Sequence, residues 1–104
     1  MIAMNVMYPN QDGGTFDFDY YLNTHMPLVA ERWADMGHKG AQVFKGTAGG
    51  APGSDAPYVV LAQVFFDSLD ELQAAQKAHG KEIFADIANF TNITPTVQIS
   101  DVLM

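Results

Sequence analysis

Histidines 25, 38 and 79 are the chain's only side chains of a type that ordinarily titrates near neutrality. They lie far apart and in no HxH or HExxH spacing, so the pattern indicates no metal centre. Cysteine is absent, which removes both thiolate chemistry and disulfides. No GxSxG sequence offers an acyl-transfer serine. His25 stands apart from the other two, because it lies two residues before Pro27 inside a helix-patterned run, Phe16 to Trp33. An imidazole suits proton transfer at neutral pH, and a helix break leaves backbone groups free to orient the ring. The plain alternative is a half-buried histidine satisfied by a backbone carbonyl. Tyr21, one turn before His25, and Tyr20 could offer a phenol to a substrate or to the imidazole. They could equally pack as amphipathic rings with wet hydroxyls. Trp33 reads as core or pocket wall. Asp86, in DIAN, could pair with His25 and so fix its tautomer and raise its basicity. Asp86 and Asn89 could instead cap a helix end before Thr91. Glu82 and Asp86, four apart, read as a solvated face. His38 and His79 each adjoin a glycine and read as exposed residues at helix C-termini, where the dipole favours a cation.

The elements that must position these groups follow from local pattern. Asp17 is placed to cap a helix, with Phe16 and Tyr21 at the two positions of a hydrophobic staple. Tyr21, His25, Val29 and Trp33 recur every four residues and share one face. Pro27 lacks an amide and crowds the preceding turn, while Met26 before it is disfavoured in helical angles. A kink is therefore expected near 24–26 in a helix over 17–36, with Gly37 as its C-cap. Strands are expected at 2–8, 41–46, 58–66 and 96–103, and a Gly/Pro-rich loop at 46–57. That loop has no phosphate-binding glycine pattern. Ser68 and Glu71 form an S-x-x-E box opening a helix over 69–79, with Leu69, Leu72, Ala75 and Ala78 inward and Gly80 ending it. A second helical piece over 81–90 turns Ile83, Phe84, Ile87 and Phe90 inward.

The order βαββαβ is the ferredoxin-like arrangement, an α+β fold with a four-stranded antiparallel sheet and both helices on one face. Strand 58–66 is apolar on both sides, with Tyr58, Val60, Ala62, Val64 and Phe66 opposite Val59, Leu61, Gln63 and Phe65. The face away from the helices therefore needs a cover, and a second copy packing sheet to sheet predicts a homodimer and a dimeric α/β barrel.

The 104 residues make a single domain, 1–104, with 48% hydrophobic and only 16% charged residues. A formal charge of −7 without any Lys/Arg cluster excludes nucleic acid and anionic membranes as expected partners. The N-terminus lacks a basic region before its apolar residues, and no stretch is long enough to span a bilayer. A soluble, cytoplasmic protein is expected.

Two segments carry a family resemblance. FDFDYYLNTHMPLV resembles the F-x-x-x-Y-Y-x-x-x-H-x-P-L signature of the EthD family, and EIFADIANFTNITPTVQISDV is similar to its C-terminal stretch. YPN after the first strand and FFDSLDEL after the third also fit. The resemblance implies a dimeric α/β barrel, with His25 as polar centre and Tyr21 and Asp86 nearby. It implies function only broadly, since similar barrels include isomerases, cyclases, dehydratases, cofactor-free monooxygenases and haem degraders. The first reading is a cofactor-independent proton-transfer catalyst acting on a small apolar cyclic or aromatic metabolite. Catalytic His25, Asp86 and Tyr21 would work in a pocket walled by Tyr20, Trp33, Phe84 and Phe90. A second reading is a non-catalytic dimeric ligand-binding or accessory protein. A third is a haem-binding or monooxygenase barrel with His25 as axial ligand.

Overall fold

A computed structural model describes residues 1–104. Strand β1 (Ile2–Pro9) leads into helical pieces α1 (Phe18–Tyr20) and α2 (Met26–Trp33), joined by a π turn, Tyr21–His25. Strands β2 (His38–Lys45) and β3 (Tyr58–Phe66) follow. A second helical arm consists of α3 (Leu69–Ala75), a π turn (Gln76–Gly80), α4 (Lys81–Asp86) and a 3-10 turn (Ile87–Asn89), before β4 (Thr96–Asp101). The sheet runs β2-β3-β1-β4 and is antiparallel throughout. That is the ferredoxin-like order expected from the alternation of periods. No helix is long and apolar enough to cross a membrane.

The first arm begins as its residues dictate. The Asp17 side chain accepts from the Tyr20 amide at 3.1 Å, and the rings of Phe16 and Tyr21 pack 5.0 Å apart as a staple. The irregularity falls where Pro27 requires it, but Met26 keeps helical angles (φ −65°, ψ −38°), contrary to expectation. Its amide reaches back to the Tyr21 carbonyl, so the turn is one residue wider than an α turn. A turn of that width already forgoes the bond Pro27 would have broken, and α2 starts with the proline in its first turn. Gly37, at φ +81°, ends the arm in the left-handed region.

Several expected boundaries move. β2 starts at His38 rather than 41, so His38 is a strand residue packed 5.7 Å from the Phe66 ring, not a solvated helix terminus. Gly80 does not stop the second arm. It keeps φ −58° within a π turn that passes directly into α4, which leaves His79 inside a continuous helix. The extra residue in that turn also rotates Ala78 out to solvent, whereas Leu72 and Ala75 are fully buried. Leu69, expected inward, is exposed at the arm's first turn. Ser68 caps α3 by accepting from the Glu71 amide, and its hydroxyl donates to the Glu71 carboxylate.

Pairing registers sort the side chains onto two faces. Met4, Val6 and Tyr8 of β1 and Val60, Ala62, Val64 and Phe66 of β3 form the buried floor beneath the helices. Val29, Trp33 and Leu72 close on it from above. Trp33 is fully buried and donates from its indole nitrogen to the Ala75 carbonyl at 2.8 Å, tying one helical arm to the other. The opposite face alternates by rows. Gln42, Gln63, Asn5 and Gln98 stand side by side across all four strands, next to an apolar row of Phe44, Leu61 and Met7. Ser100 links the amides of Asn5 and Gln98 by hydrogen bonds.

Candidate active site

Two loops bring the helical arms together at one end. The Asp17 amide donates to the Phe90 carbonyl at 2.7 Å, and the Thr91 hydroxyl donates to the Thr15 carbonyl at 2.6 Å. Asn92 accepts from the Thr15 amide and donates to the Gly13 carbonyl. This clamp spans more than seventy residues of sequence, and it holds the π turn bearing His25 against α4.

His25 sits last in its π turn, is 4% exposed, and donates from Nδ1 to Asp86 Oδ2 at 2.9 Å. The other carboxylate oxygen of Asp86 accepts from the Tyr20 hydroxyl at 2.7 Å and from the Asn89 amide at 2.9 Å. Asp86 is thus a helix-end residue with a local Asn89 bond and also the partner of His25. The two alternatives drawn from sequence coexist. Burial raises the Asp86 pKa, but its bonds to Tyr20, Asn89 and His25 outweigh that and hold it below the ordinary carboxylate value. Burial also dominates at His25, holding it below the ordinary histidine value against the opposing pull of Asp86. At neutral pH the site therefore holds an ionised carboxylate beside a neutral imidazole. A carboxylate can only accept, so the imidazole proton is on Nδ1 and the lone pair is on Nε2.

Nε2 has no hydrogen bond within the chain, yet it is not sealed. The one fully buried side-chain nitrogen or oxygen without a partner is His38 Nε2. His25 instead lines a cavity between helices and sheet, where it is the sole residue that is neither aliphatic nor aromatic. The cavity measures about 20 Å³, enough for roughly one water molecule. The Tyr21 ring stacks on the imidazole at 5.6 Å and 15°, and Phe90 closes its other side at 4.6 Å.

Of the residues singled out from sequence, His25, Asp86 and Tyr20 form one bonded group. Tyr21 joins it by ring stacking, and its phenol bonds neither His25 nor Asp86. Burial pushes the Tyr21 phenol up to about 12, which keeps it protonated at neutral pH. Trp33 and Phe84 line the cavity; Phe90 backs His25, and Tyr20 lies on the far side of Asp86. Glu82 leaves the site altogether and pairs with Arg32 at 2.7 Å. Met26 and Tyr8 also line the cavity, although neither was singled out. Tyr8 was legible as an inward strand position, but its depth depends on pairings no local pattern carries. No cluster of three or more His, Cys, Asp or Glu is placed to hold a metal ion.

The fold and site define a ferredoxin-like α+β protein with a carboxylate-held imidazole beneath two irregular helices. The chain belongs to the EthD family: the EthD domain profile matches residues 15–94. It is similar to the crystal structure of an EthD-like protein from Ralstonia eutropha JMP134, with 42% identity and a TM-score of 0.91. That match covers 99% of this chain and 92% of the other. A protein of the ethyl tert-butyl ether EthD family from Bacillus halodurans C-125 matches at 20% identity and a TM-score of 0.66, covering 99% of each chain. SnoaB, a cofactor-independent oxygenase from Streptomyces nogalater, shares the fold at 11% identity and a TM-score of 0.58, over 99% of this chain and 92% of that one. No curated protein matches the chain.

Proposed function

We propose that His25 is the general base and acid of a cofactor-independent proton transfer on a small, mainly apolar cyclic or aromatic molecule. The observation that carries this reading is the neutral imidazole, fixed through Nδ1 by Asp86 and presenting an unpaired Nε2 to an apolar space. Such a nitrogen removes a proton next to a carbonyl and returns it elsewhere on the same molecule, as isomerisation, cyclisation or dehydration requires. The carboxylate stabilises the imidazolium formed midway, and the surrounding apolar wall strengthens that interaction. The step needs no cofactor, because the proton is both taken and given back by the same ring. Tyr20 and Asn89 keep Asp86 ionised and oriented. Trp33, Phe84 and Tyr21 supply the walls.

The test is exchange and turnover in deuterium oxide across a panel of lactones and phenols first selected by their effect on melting temperature. Deuterium should enter a selected compound with wild type and not with His25→Ala. Exchange that survives His25→Ala would remove the base. A second reading, a binding protein without catalysis, is favoured by the size of the cavity, which admits no ring in this conformation. Compounds that bind equally to both proteins and are never exchanged would support it.

We also infer a homodimer through the open sheet face. Phe44 and Leu61 on that face are 48% and 38% exposed, an apolar area that a second copy would cover. Light scattering should report about twice the 11.3 kDa chain mass; a monomer at micromolar concentration would refute it.

A further inference from the structure

The cavity at His25 is far below the ~150 Å³ of an apolar cavity that accepts benzene. A groove of about 540 Å³ lies outside it, over β4 and the loop before it. The groove and the cavity share two lining residues, Phe84 and Ile87. The two spaces also belong to one layer. Val97 and Ile99 of β4 pair with Val6 and Met4 of β1 and so face the helices with them. They remain 40% and 42% exposed because β4 is the edge strand and the helices stop short of it. The groove is the uncovered continuation of the space that holds His25, and Phe84 with Ile87 is the partition. Ile87 is nearly sealed at 9% exposure, with Ile83 on the same helix face at 4%, whereas Phe84 is only half-buried. Phe84 is the half of the partition with room to turn.

We propose that Phe84 is the door of the site: when it turns outward, the groove over β4 joins the cavity. The joined space then takes a flat, mainly apolar ligand that carries one hydrogen-bond donor. The donor is demanded by the lone pair on Nε2, the sole polar acceptor on the cavity wall. The body of the ligand lies along Ile93, Pro95 and Val97. This rests on the reading of His25 as base for the ligand's orientation, but the door itself does not need turnover to be seen.

Diethyl pyrocarbonate acylates an unprotonated imidazole nitrogen and is too large for the closed cavity, so its rate at His25 reads the door. Peptide mapping by mass spectrometry separates His25 from His38 and from His79, which serves as internal reference. Phe84→Ala should raise the His25 rate by about tenfold or more as the open population grows. Val97→Trp, at an exposed edge position, should lower it severalfold, and the His79 rate should stay constant in both. A His25 rate unmoved by both variants would overturn the door. Should Phe84→Ala fail to fold, an unslowed Val97→Trp would do so alone. The donor requirement is read separately with 2-naphthol and 2-methoxynaphthalene: wild type should bind the first clearly more tightly, and equal affinities would overturn it. Turnover that persisted in His25→Ala would remove the base and leave the labelling result standing.

Discussion

Asp86→Ala removes the acceptor of three donors at once: the Tyr20 hydroxyl, the Asn89 amide and His25 Nδ1. The first two lie toward solvent, where water replaces the carboxylate. The His25 side chain is 6% exposed, so its N–H loses its partner with nothing to take its place. An orphaned buried donor costs about 1–3 kcal/mol, with bonds to charged partners at the upper end, so ~2–3 kcal/mol is expected at pH 7. With a urea slope of about 1–2 kcal/mol/M, the unfolding midpoint should fall by about 1–2 M. Trp33, the one tryptophan, is fully buried and gives the fluorescence signal. The sign with pH is fixed by the direction of the shift. The folded-state pKa of Asp86 is lowered, so its contribution is complete above the unfolded carboxylate value and is lost as pH falls through the folded one. The gap between wild type and Asp86→Ala should therefore close in acid. Nitrogen-15 spectra should show the His25 proton leaving its exclusive place on Nδ1. An unshifted midpoint together with an unchanged tautomer would refute the claim that Asp86 holds this ring.

His38 Nε2 is buried without a partner, and burial lowers the His38 pKa, as it does that of His25. Both favour the neutral ring in the folded state, so stability should decline as pH falls below the ordinary histidine value; His38→Phe should shrink the drop in melting temperature between pH 7.5 and 5, and an unchanged drop counts against it. Gly37→Ala places a Cβ at φ +81° and against the Glu71 side chain; a loss of about 1–2 kcal/mol or more is expected in urea melts, and a neutral result would contradict the geometry. Trp33→Phe leaves the Ala75 carbonyl unpaired in the core, which should cost about 2–3 kcal/mol, whereas a change below ~0.5 would show the bond to be dispensable.

Much of this was legible in local chemistry. Asp17, Phe16 and Tyr21 begin the first arm where caps and staples begin helices, and the alternation in 58–66 separates floor from open face correctly. Asp86 was named as a partner for His25 from residue type, but its alternative role beside Asn89 fitted equally well. Only the clamp of Thr91 and Asn92 on residues 13–15 decides that both occur. Gly80 misled because a glycine ends a helix only when it takes positive φ, and at −58° it simply continues one. His38 misled for the converse reason: Gly37 does take positive φ, and the very next residue is already in the sheet. Tyr20 rather than Tyr21 reaches Asp86 because the two arms meet across sixty-six residues of sequence. No helical spacing within the first arm could have distinguished them.

The first π turn gives the site an unusual relation to mutation. Leu22, Asn23 and Thr24 are all exposed, between buried Tyr21 and buried His25. Their side chains can vary freely, but their number cannot. Each residue of an α-helix advances about 100° around the axis, so losing any one of the three would turn everything before the deletion by that angle against everything after it. Phe16 and Tyr21 would leave the face they share with Val29 and Trp33, and Tyr20 would no longer meet Asp86. Drift by substitution can rewrite this segment, while a single codon lost from it would dismantle the imidazole's setting.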